Sequence, residues 1–383
     1  MYNAYLSRTH EAIGALAKHI RTSDNLRTLV LDETPKKPNG ASIQVIAPAD
    51  APSSVEWRII DHCAAVTRIY AIYEQFAHEM IREHLSLLQG RMPFMDLPDA
   101  IKSSYRQGLA KILDKKDRAR FADIDLSQLI GTYNSALGGL EYSLEPKAML
   151  MQEQNLRLPE LNRFMNACGI EGVQSWIENH RRVKEFFAAG DRLTGTAESQ
   201  MAELIKFRND AAHGTIDISD LLHLNVHLEF CDFISAVCEA LAERVQLAGL
   251  FTLKPYKHAT ERGKVSESMK NGSVAIGLML GRFAVGDTIY LCGDNYCLER
   301  RVSSLQLDSV PQESVDFTTA TELGMLLDAP GKKNAIIYAL EAATATVSSD
   351  PPLPDTHEEA VSASKPTIAR SQRRYLRWQT NYR

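Results

Sequence analysis

The hydrophobic positions along this chain change their period once, and the change divides the chain into two parts. Between residues 53 and 250, apolar residues recur at every third or fourth position, which is the spacing of helices. After Pro255 they alternate with polar residues between turn signals, which is typical of short β-strands. The sequence therefore predicts a mainly α protein, with a helical bundle over residues 53–250 and a small β-barrel over residues 255–340.

Residues 1–52 predict a short amphipathic helix over residues 2–20, followed by a β-hairpin. The hairpin strands are Leu26–Leu31 and Ser42–Ile46, and the proline-, lysine- and glycine-containing stretch 35–40 connects them. Because an isolated hairpin is only marginally stable in water, we expect it to lie on another element.

The longest predicted helix runs from Ser53 or Ser54, as its N-cap, to Leu88, with Gly90 just past its end. Its aromatic residues share the apolar face, so we assign them to the core rather than to a surface that stacks on bases. These residues are Tyr70, Tyr73 and Phe76.

The rest of the bundle is predicted as several shorter helices and one long one. Residues 120–172 hold helical pieces broken by glycine and proline, and we interpret them as an insertion packed on the bundle. Gln174–Ala189 predicts the next helix, and Thr196 or Ser199 begins a further one. Ser219 is the predicted cap of the last long helix. The apolar positions of that helix are Leu221, Leu222, Leu224, Leu228, Phe233, Ile234, Val237, Leu241 and Val245.

Composition limits the class of protein. A chain of 383 residues with 44% hydrophobic and 24% charged residues can fill a substantial core, and its length suggests two domains. The net charge of −5 provides no basic field for a nucleic acid, so any RNA contact must be local. Six scattered cysteines, no signal-peptide pattern in the first 20 residues and no apolar run long enough to span a bilayer predict a cytoplasmic protein without membrane association.

The C-terminal residues 341–383 differ from both predicted domains. Residues 341–369 are rich in alanine, serine, threonine and proline, which is typical of a flexible linker. Arg370–Arg383 carries five arginines, three aromatic residues and no acidic residue. Two interpretations stay open: a tail that binds single-stranded RNA or a partner, and a charged tail that is simply solvated.

The stretch Arg208-Asn209-Asp210-Ala211-Ala212-His213-Gly214 holds the residue types that metal-free RNA cleavage needs. That reaction requires a base for the ribose 2′-hydroxyl proton, an acid for the leaving oxygen, and a cation beside the phosphate. A histidine exchanges protons near neutral pH, and an arginine stays charged and fits a phosphate with two hydrogen bonds. Arg208 and His213 are therefore the candidate catalytic residues.

Helical geometry adds a third residue and assigns a role to the histidine. Asn209 and His213 are four residues apart, so they share a helix face, and the amide is placed to orient either the imidazole or the RNA. A helix that ends at Gly214 leaves His213 at the negative end of the helix dipole, which favours the protonated imidazole. We therefore expect His213 to act as the acid.

The string from Phe207 to Gly214 resembles the signature of HEPN domains, in particular the bacterial HEPN ribonucleases of toxin–antitoxin and phage-defence systems. Their pattern is Arg, a polar residue, three variable residues and His, and the likeness covers residues 54–248. The resemblance implies a four- or five-helix bundle that dimerises so that two motifs meet in one cleft. It also implies metal-free cleavage that leaves a 2′,3′-cyclic phosphate, with Arg208 and His213 catalytic and Asn209 as the polar helper. The predicted hairpin and the 120–172 insertion lie outside the minimal bundle.

A second resemblance covers residues 265–340. Gly277–Leu291 is similar to the second, barrel-shaped domain of translation elongation factors, and Val302–Leu305 and Glu322–Leu327 fit later strands of that barrel. No Gly-Lys-Ser/Thr phosphate-binding loop precedes it, so GTP hydrolysis is not implied. The resemblance implies a docking module for tRNA, the ribosome or a translation protein, and a generic barrel for protein contacts stays equally open.

Two residue pairs carry weaker signals. His223 and His227 are four residues apart, but no third ligand is placed by the sequence, so a solvated or hydrogen-bonded pair is favoured and no metal site is predicted. Cys292 and Cys297 flank a predicted hairpin turn, where buried structural thiols are favoured over a redox pair.

The sequence thus predicts a dimeric, metal-independent endoribonuclease without a cofactor, which cleaves tRNA or mRNA as a toxin or antiphage-defence effector. Because an unregulated ribonuclease harms its host, an inhibitory antitoxin or an activating defence partner is expected. Two other hypotheses stay open: a non-catalytic HEPN scaffold, and a translation-associated RNA-binding protein led by the barrel.

Overall fold

The computed structural model describes residues 2–31, 51–151, 154–189, 193–214 and 221–341. The described part of the chain is helical up to Leu253 and forms strands from Ala259 onward. Its α-helices are α1 (Tyr2–Leu31), α2 (Ser54–Gln89), α3 (Asp99–Asp114), α4 (Leu126–Leu137), α5 (Pro146–Met149), α6 (Leu158–Ala167), α7 (Val173–Asn179), α8 (Arg181–Ala189), α9 (Ala197–His213) and α10 (Leu224–Leu253). Its strands are β1 (Ala259–Met269), β2 (Val274–Ala284), β3 (Thr288–Gly293), β4 (Tyr296–Leu307), β5 (Val310–Gln312), β6 (Ser314–Leu327) and β7 (Ile336–Leu340).

Helix α10 lies at the centre of the bundle. It is apolar on several sides and packs against α1, α2, α7, α8 and strand β4. Gly249 allows the close approach of α2, because a Cβ at this position would lie 2.7 Å from the Leu87 side chain. Among the described residues, no helix combines the length and apolarity that crossing a membrane requires.

Helix α2 has the ends that the sequence predicts. Ser53 is its N-cap and forms a capping box with Glu56, and Gly90 follows its last residue. Tyr73 and Phe76 are buried in the bundle core, as expected from their helical spacing. Helix α2 is therefore anchored in the bundle, and other elements pack against it.

The prediction of a strand over residues 26–31 is wrong, because α1 continues as one helix to Leu31. Local contacts stabilise the helical form: Arg27 pairs with Asp24, and the Thr28 hydroxyl donates to the Asp24 carbonyl at 2.9 Å. Helix α1 also packs against α2 and α10, and this tertiary packing stabilises it as a helix over its full length. The second predicted strand, residues 42–46, lies outside the described residues.

Two further helix predictions need correction. The helix predicted over residues 174–189 is two helices, because His180 is extended (φ −66°, ψ 139°) and its ring is drawn into an ion-pair cluster. The last helix begins at Leu224, after an N-cap at His223, so Leu221 and Leu222 precede it. The predicted cap Ser219 lies outside the described residues.

The strands form an antiparallel barrel. Their order is β3-β7-β1-β2-β6-β4, and the pairing of β3 with β4 closes the ring, while β5 extends the β4 edge as a hairpin. Alternate side chains point inward, among them Val265, Met279, Phe283, Leu305 and Leu323. The predicted fold class, a mainly α bundle followed by a β-barrel, is confirmed.

Glu243 of α10 joins the bundle to the barrel. Its carboxylate accepts hydrogen bonds from Arg181 at 2.6 and 2.9 Å and from the backbone N–H of Cys297 in β4 at 3.0 Å. His180 Nε2 lies 3.3 Å from the same carboxylate. Burial raises the pKa of Glu243, but the hydrogen bonds from His180 and Arg181 outweigh this effect and hold the pKa below the ordinary value of 4.5.

Removing Arg181, which donates two hydrogen bonds to the buried Glu243 carboxylate, is expected to destabilise the protein strongly. Arg181→Ala should lower the free energy of unfolding by about 3–5 kcal/mol, because Glu243 stays buried with its charge poorly compensated. The control Arg182→Ala removes half-exposed ion pairs to Glu185 and Glu239 and should cost at most about 1 kcal/mol. Urea denaturation measures both, and equal losses would contradict the assignment.

The same experiment has a defined pH dependence. Because the pKa of Glu243 is lowered in the folded state, its contribution is fully present above the ordinary value of 4.5 and is lost as the pH falls below it. The stability difference between wild type and Arg181→Ala should therefore shrink in that acidic range.

Candidate active site

Helix α9 delivers the Arg208–His213 stretch as its last two turns. Thr196 is the N-cap and forms a capping box with Ser199, and Gly214 ends the helix in the left-handed region at φ 68°. Met201, Leu204 and Ile205 are buried and anchor the helix in the bundle. The sequence-based prediction that the helix ends at Gly214 is confirmed, and His213 is its last residue.

The Arg208 guanidinium is held by two contacts. Its Nη1 donates to Asn209 Oδ1 at 3.1 Å, and its Cζ lies 5.2 Å from the centre of the Tyr70 ring. Asn155 Nδ2 donates to the same Asn209 oxygen at 3.1 Å. The Asn209 amide therefore orients Arg208, and its oxygen is bound to Arg208 and Asn155 rather than to His213.

Tyr70 links the chain segment at Leu156 to α2 through hydrogen bonds. Its hydroxyl donates to Glu74 Oε1 at 3.0 Å and accepts the Leu156 N–H at 2.9 Å, while the Tyr73 hydroxyl donates to the Leu156 carbonyl at 2.9 Å. Burial raises the pKa of Tyr70 well above its ordinary value, so its ring stays neutral beneath Arg208. This clamp fixes Leu156, and with it Asn155, against the bundle.

A cleft of about 730 Å³ lies between α2, α9 and the segment that leads into α6. Arg208, Asn209 and His213 all line it, and His213 is exposed to solvent. The other lining residues are Glu74, His78, Gln154, Asn155, Arg157 and Glu160. The structure thus brings the three predicted site residues to one cleft of a single chain.

A slightly larger cavity, about 780 Å³, lies between α1, α2 and the start of α10. His19, Arg58 and His223 are among its lining residues, but none of the three predicted site residues reaches it. The 730 Å³ cleft is therefore the candidate active site.

Several cleft residues were missed by sequence reasoning. The prediction placed Tyr70 in the core alone, whereas its buried ring also supports Arg208. Tyr70, Glu74 and His78 are spaced four residues apart on α2 and share one face, which is a signal that the sequence contains. The contributions of Asn155 and Arg157 come from the insertion, and no periodic pattern in the sequence marks them.

The two histidines considered as a pair both line the 780 Å³ cavity, but they differ in exposure. His223 is exposed at the N-cap of α10, whereas His227 is buried and its Nε2 lies 3.1 Å from His62 Nδ1. Burial lowers the pKa of His227 to about 4, so this imidazole is neutral at physiological pH. Within the described ranges, no group of three or more His, Cys, Asp or Glu side chains is arranged to hold a metal ion.

Comparison with known proteins identifies the class and then the family. The bundle with its α9 motif belongs to the HEPN class, as the resemblance implied. A family model described as RiboL-PSP-HEPN matches residues 42–246, more than half of the chain, and the chain belongs to this family. Membership indicates a ribonuclease or RNA-related function, because HEPN domains are generally nuclease-like.

No curated protein matches this sequence. Two solved structures of the C-terminal domain of a Geobacillus thermoleovorans protein described as a U32 peptidase, one a selenomethionine variant, are similar at 11% identity and a TM-score of 0.19. The matches cover 21% and 20% of this chain and 92% and 96% of those chains.

The clamp between α2 and the insertion is testable. Tyr70→Phe removes the acceptor of the Leu156 N–H, and because Leu156 is buried, the change should cost about 1–3 kcal/mol of stability. Tyr133→Phe is the control, since the Tyr133 hydroxyl makes no hydrogen bond within the described part of the chain, and it should change stability by less than about 0.5 kcal/mol. Urea denaturation gives the free energies, and faster amide hydrogen exchange at Leu156 reports the local loosening. An unchanged exchange rate at Leu156 would rule the clamp out.

Proposed function

We propose that this protein is a metal-independent endoribonuclease that cleaves RNA through the ribose 2′-hydroxyl. One observation carries the proposal: a guanidinium held by two contacts and an exposed imidazole line the same cleft. Membership of the RiboL-PSP-HEPN family supports it.

The proposed reaction is a transesterification. The 2′-oxygen attacks the neighbouring phosphorus, the bond from phosphorus to the 5′-oxygen breaks, and the products are a 2′,3′-cyclic phosphate and a 5′-hydroxyl. Arg208 offsets the charge that grows on the phosphoryl oxygens, and His213 gives its proton to the leaving 5′-oxygen. Asn209 positions the Arg208 guanidinium and does not itself contact the substrate.

The biological setting is part of the same proposal. The protein acts on tRNA or mRNA as a toxin or an antiphage-defence effector, as a homodimer, under an inhibitory antitoxin or an activating partner. The barrel is proposed to select the target, since Glu243 fixes it to the bundle and so relates any docked target to the cleft.

Substitution of the motif tests the catalytic assignment. Arg208→Ala and His213→Ala should each slow RNA cleavage by about 10²–10⁴-fold, because one removes charge stabilisation and the other removes proton transfer. Arg106→Ala and His223→Ala change exposed residues of the same types outside the cleft and should cleave like wild type. Growth arrest on expression and the integrity of total RNA are the readouts. If all five proteins behave alike, the non-catalytic scaffold hypothesis is favoured instead.

The reaction type is tested on the substrate. An oligonucleotide with one cleavable ribose should become resistant when that ribose is replaced by 2′-deoxyribose, because the nucleophile is gone. A chelator such as EDTA should leave the rate unchanged, and mass spectrometry should find a 2′,3′-cyclic phosphate on the 5′ fragment. Cleavage at the deoxy position, or loss of activity with the chelator, would refute this mechanism.

A further inference from the structure

The insertion brings a second arginine, Arg157, into the cleft that holds Arg208. The proposed reaction places the scissile phosphate beside Arg208, and the other phosphates of an RNA strand follow at intervals of one nucleotide. We propose, on the basis of the proposed function, that Arg157 binds a phosphate next to the scissile one. The substrate of the cleft is then a strand with at least two consecutive phosphates.

The backbone of Arg157 is fixed on both sides. Its N–H donates to the Asn155 carbonyl at 2.9 Å, and its own carbonyl accepts the Leu161 N–H at 2.7 Å. Its two neighbours, Leu156 and Leu158, are fully buried, whereas Arg157 itself is exposed. The Arg157 side chain therefore extends outward from an anchored position, and there it lines the cleft.

The same segment contacts the motif. Asn155 Nδ2 donates to Asn209 Oδ1, and that oxygen also accepts a hydrogen bond from Arg208 Nη1, each at 3.1 Å. Asn155 and Arg157 are two residues apart, so their Cα atoms are separated by at most about 7 Å. Arg157 is therefore a near neighbour of Arg208 in space, although the two arginines come from different elements.

The Arg157 guanidinium is available to a ligand. Within the part of the chain that the structure describes, it makes no hydrogen bond and no ion pair. The two carboxylates of the cleft have other contacts: Glu74 Oε1 accepts the Tyr70 hydroxyl at 3.0 Å, and Glu160 Oε1 lies 3.9 Å from Arg163 Nη2. An unpaired guanidinium can bind a phosphate through two parallel hydrogen bonds. Because the carboxylates weaken the attraction for a polyanion, we assign one phosphate to Arg157 and no more.

Arginine is locally unfavourable at position 157. Arg157 is the N-cap of α6, and its side chain forms no capping hydrogen bond. Serine, threonine, aspartate and asparagine are preferred there, because their side-chain oxygens accept N–H groups of the first turn. A cation also lies at the positive end of the helix dipole. Residues that break local rules without a structural gain are expected at functional sites, and this favours a ligand as the reason for Arg157.

The variant Arg157→Ser separates binding from stability. Because serine at the N-cap can accept an N–H of the first turn, the variant should be at least as stable as wild type in urea denaturation. It should nevertheless bind RNA more weakly, since the guanidinium is lost. Arg157→Lys keeps the charge and should lose less affinity than Arg157→Ser. A loss of stability that parallels the loss of binding would indicate a structural role and overturn the proposal.

Salt dependence counts the phosphate contacts without cleavage. An oligonucleotide with a 2′-O-methyl group on every ribose has no free nucleophile, so its affinity can be measured at equilibrium in increasing KCl. The slope of log affinity against log salt should be shallower by about 0.7 in Arg157→Ser than in wild type. The control Arg106→Ser makes the same change of net charge at an exposed position of α3 outside the cleft, and it should keep the wild-type slope. An unchanged slope in Arg157→Ser would refute the contact.

Substrate length shows which phosphate is bound. A dinucleoside monophosphate contains the scissile phosphate alone, so wild type and Arg157→Ser should cleave it with the same kcat/KM. A pentanucleotide whose third nucleotide is its one ribonucleotide has phosphates on both sides of the cleavable linkage. On this substrate, kcat/KM should be about tenfold lower for Arg157→Ser, because a hydrogen-bonded charge contact is lost. Equal losses on both substrates would contradict a contact with a neighbouring phosphate.

Neutral linkages locate the contact. A methylphosphonate has no charge and can replace either phosphate beside the scissile one in the pentanucleotide. At one or both positions, the replacement should slow wild type about tenfold but Arg157→Ser by less than about threefold, because the contact is already absent. In the proposed homodimer, the Arg157 of either copy can provide this contact. Equal penalties in the two proteins at both positions would overturn the proposal.

The kinetic effect distinguishes Arg157 from Arg208. A contact to a phosphate that does not react stabilises the bound substrate and the transition state alike, so Arg157→Ser should raise KM and change kcat little. Arg208→Ala should mainly lower kcat, because the charge that Arg208 offsets grows in the transition state. A fall in kcat alone in Arg157→Ser would contradict the assignment.

Failure of this inference differs from failure of the proposed function. If wild type cleaves RNA and Arg208→Ala does not, while Arg157→Ser has the wild-type KM and salt slope, the ribonuclease function stands and the inference fails. If wild type cleaves no RNA, the ribonuclease function fails. A shallower salt slope in Arg157→Ser would in that case still assign Arg157 to the RNA backbone.

Discussion

Helix α10 sets the main constraint on this fold, because a helix that is apolar on most sides is stable only when other elements cover it. Nineteen of its residues are buried, and α1, α2, α7 and α8 cover it within the bundle. Strand β4 of the barrel covers part of the remaining surface. Glu243 is the acidic residue of α10 that becomes buried, and Arg181 with the Cys297 N–H compensates its charge. The barrel is therefore part of the packing of the bundle.

The candidate site depends on this packing through α2. One side of α2 is fixed against α10 and α1, so the row formed by Tyr70, Glu74 and His78 faces α9 and the insertion. Contacts between these elements, rather than a flexible loop, hold Arg208 in place. An arrangement of this kind suits a site in which the cation must stand beside the phosphate before the reaction begins, because little reorganisation is then required.

The sequence predicted those parts of the structure that local patterns specify. The N-caps Ser53 and Thr196, each one of two predicted alternatives, the helix end at Gly214 and the change from helices to strands all follow from short-range rules, and the structure has them. The prediction of a strand over residues 26–31 was wrong because β-branched and apolar residues occur in both helices and strands. The packing of α1 stabilises the helix at these positions.

Long-range contacts were not predictable in the same way. Strand β1 was missed because charged residues such as Glu261, Lys264 and Glu267 weaken its alternation, and only pairing with β2 and β7 makes it a strand. For the candidate site, the motif was visible because its residues are adjacent in sequence. Asn155 was invisible because it meets the motif only through tertiary packing. The four-residue spacing of Tyr70, Glu74 and His78 shows that they share a face of α2, but not that this face lies against the motif. The bond from Asn155 to Asn209 joins residues 54 apart in sequence.

The charges of the cleft bear on how the proposed nuclease would meet its substrate. Arg157 and Arg208 bring positive charge, but Glu74 and Glu160 line the same space, so the cleft as a whole attracts a polyanion weakly. If each of these two arginines neutralises one phosphate, the electrostatic part of RNA binding is small, since each neutralised phosphate adds only about 0.7 to the slope of log affinity against log salt. In the proposed reaction, Arg208 offsets the charge that grows on the phosphoryl oxygens, and an interaction that strengthens in the transition state raises the rate without tight binding of the substrate. A cleft of this composition is better suited to transition-state stabilisation than to capture of RNA, and this favours the part of the proposal in which surfaces outside the cleft select the target.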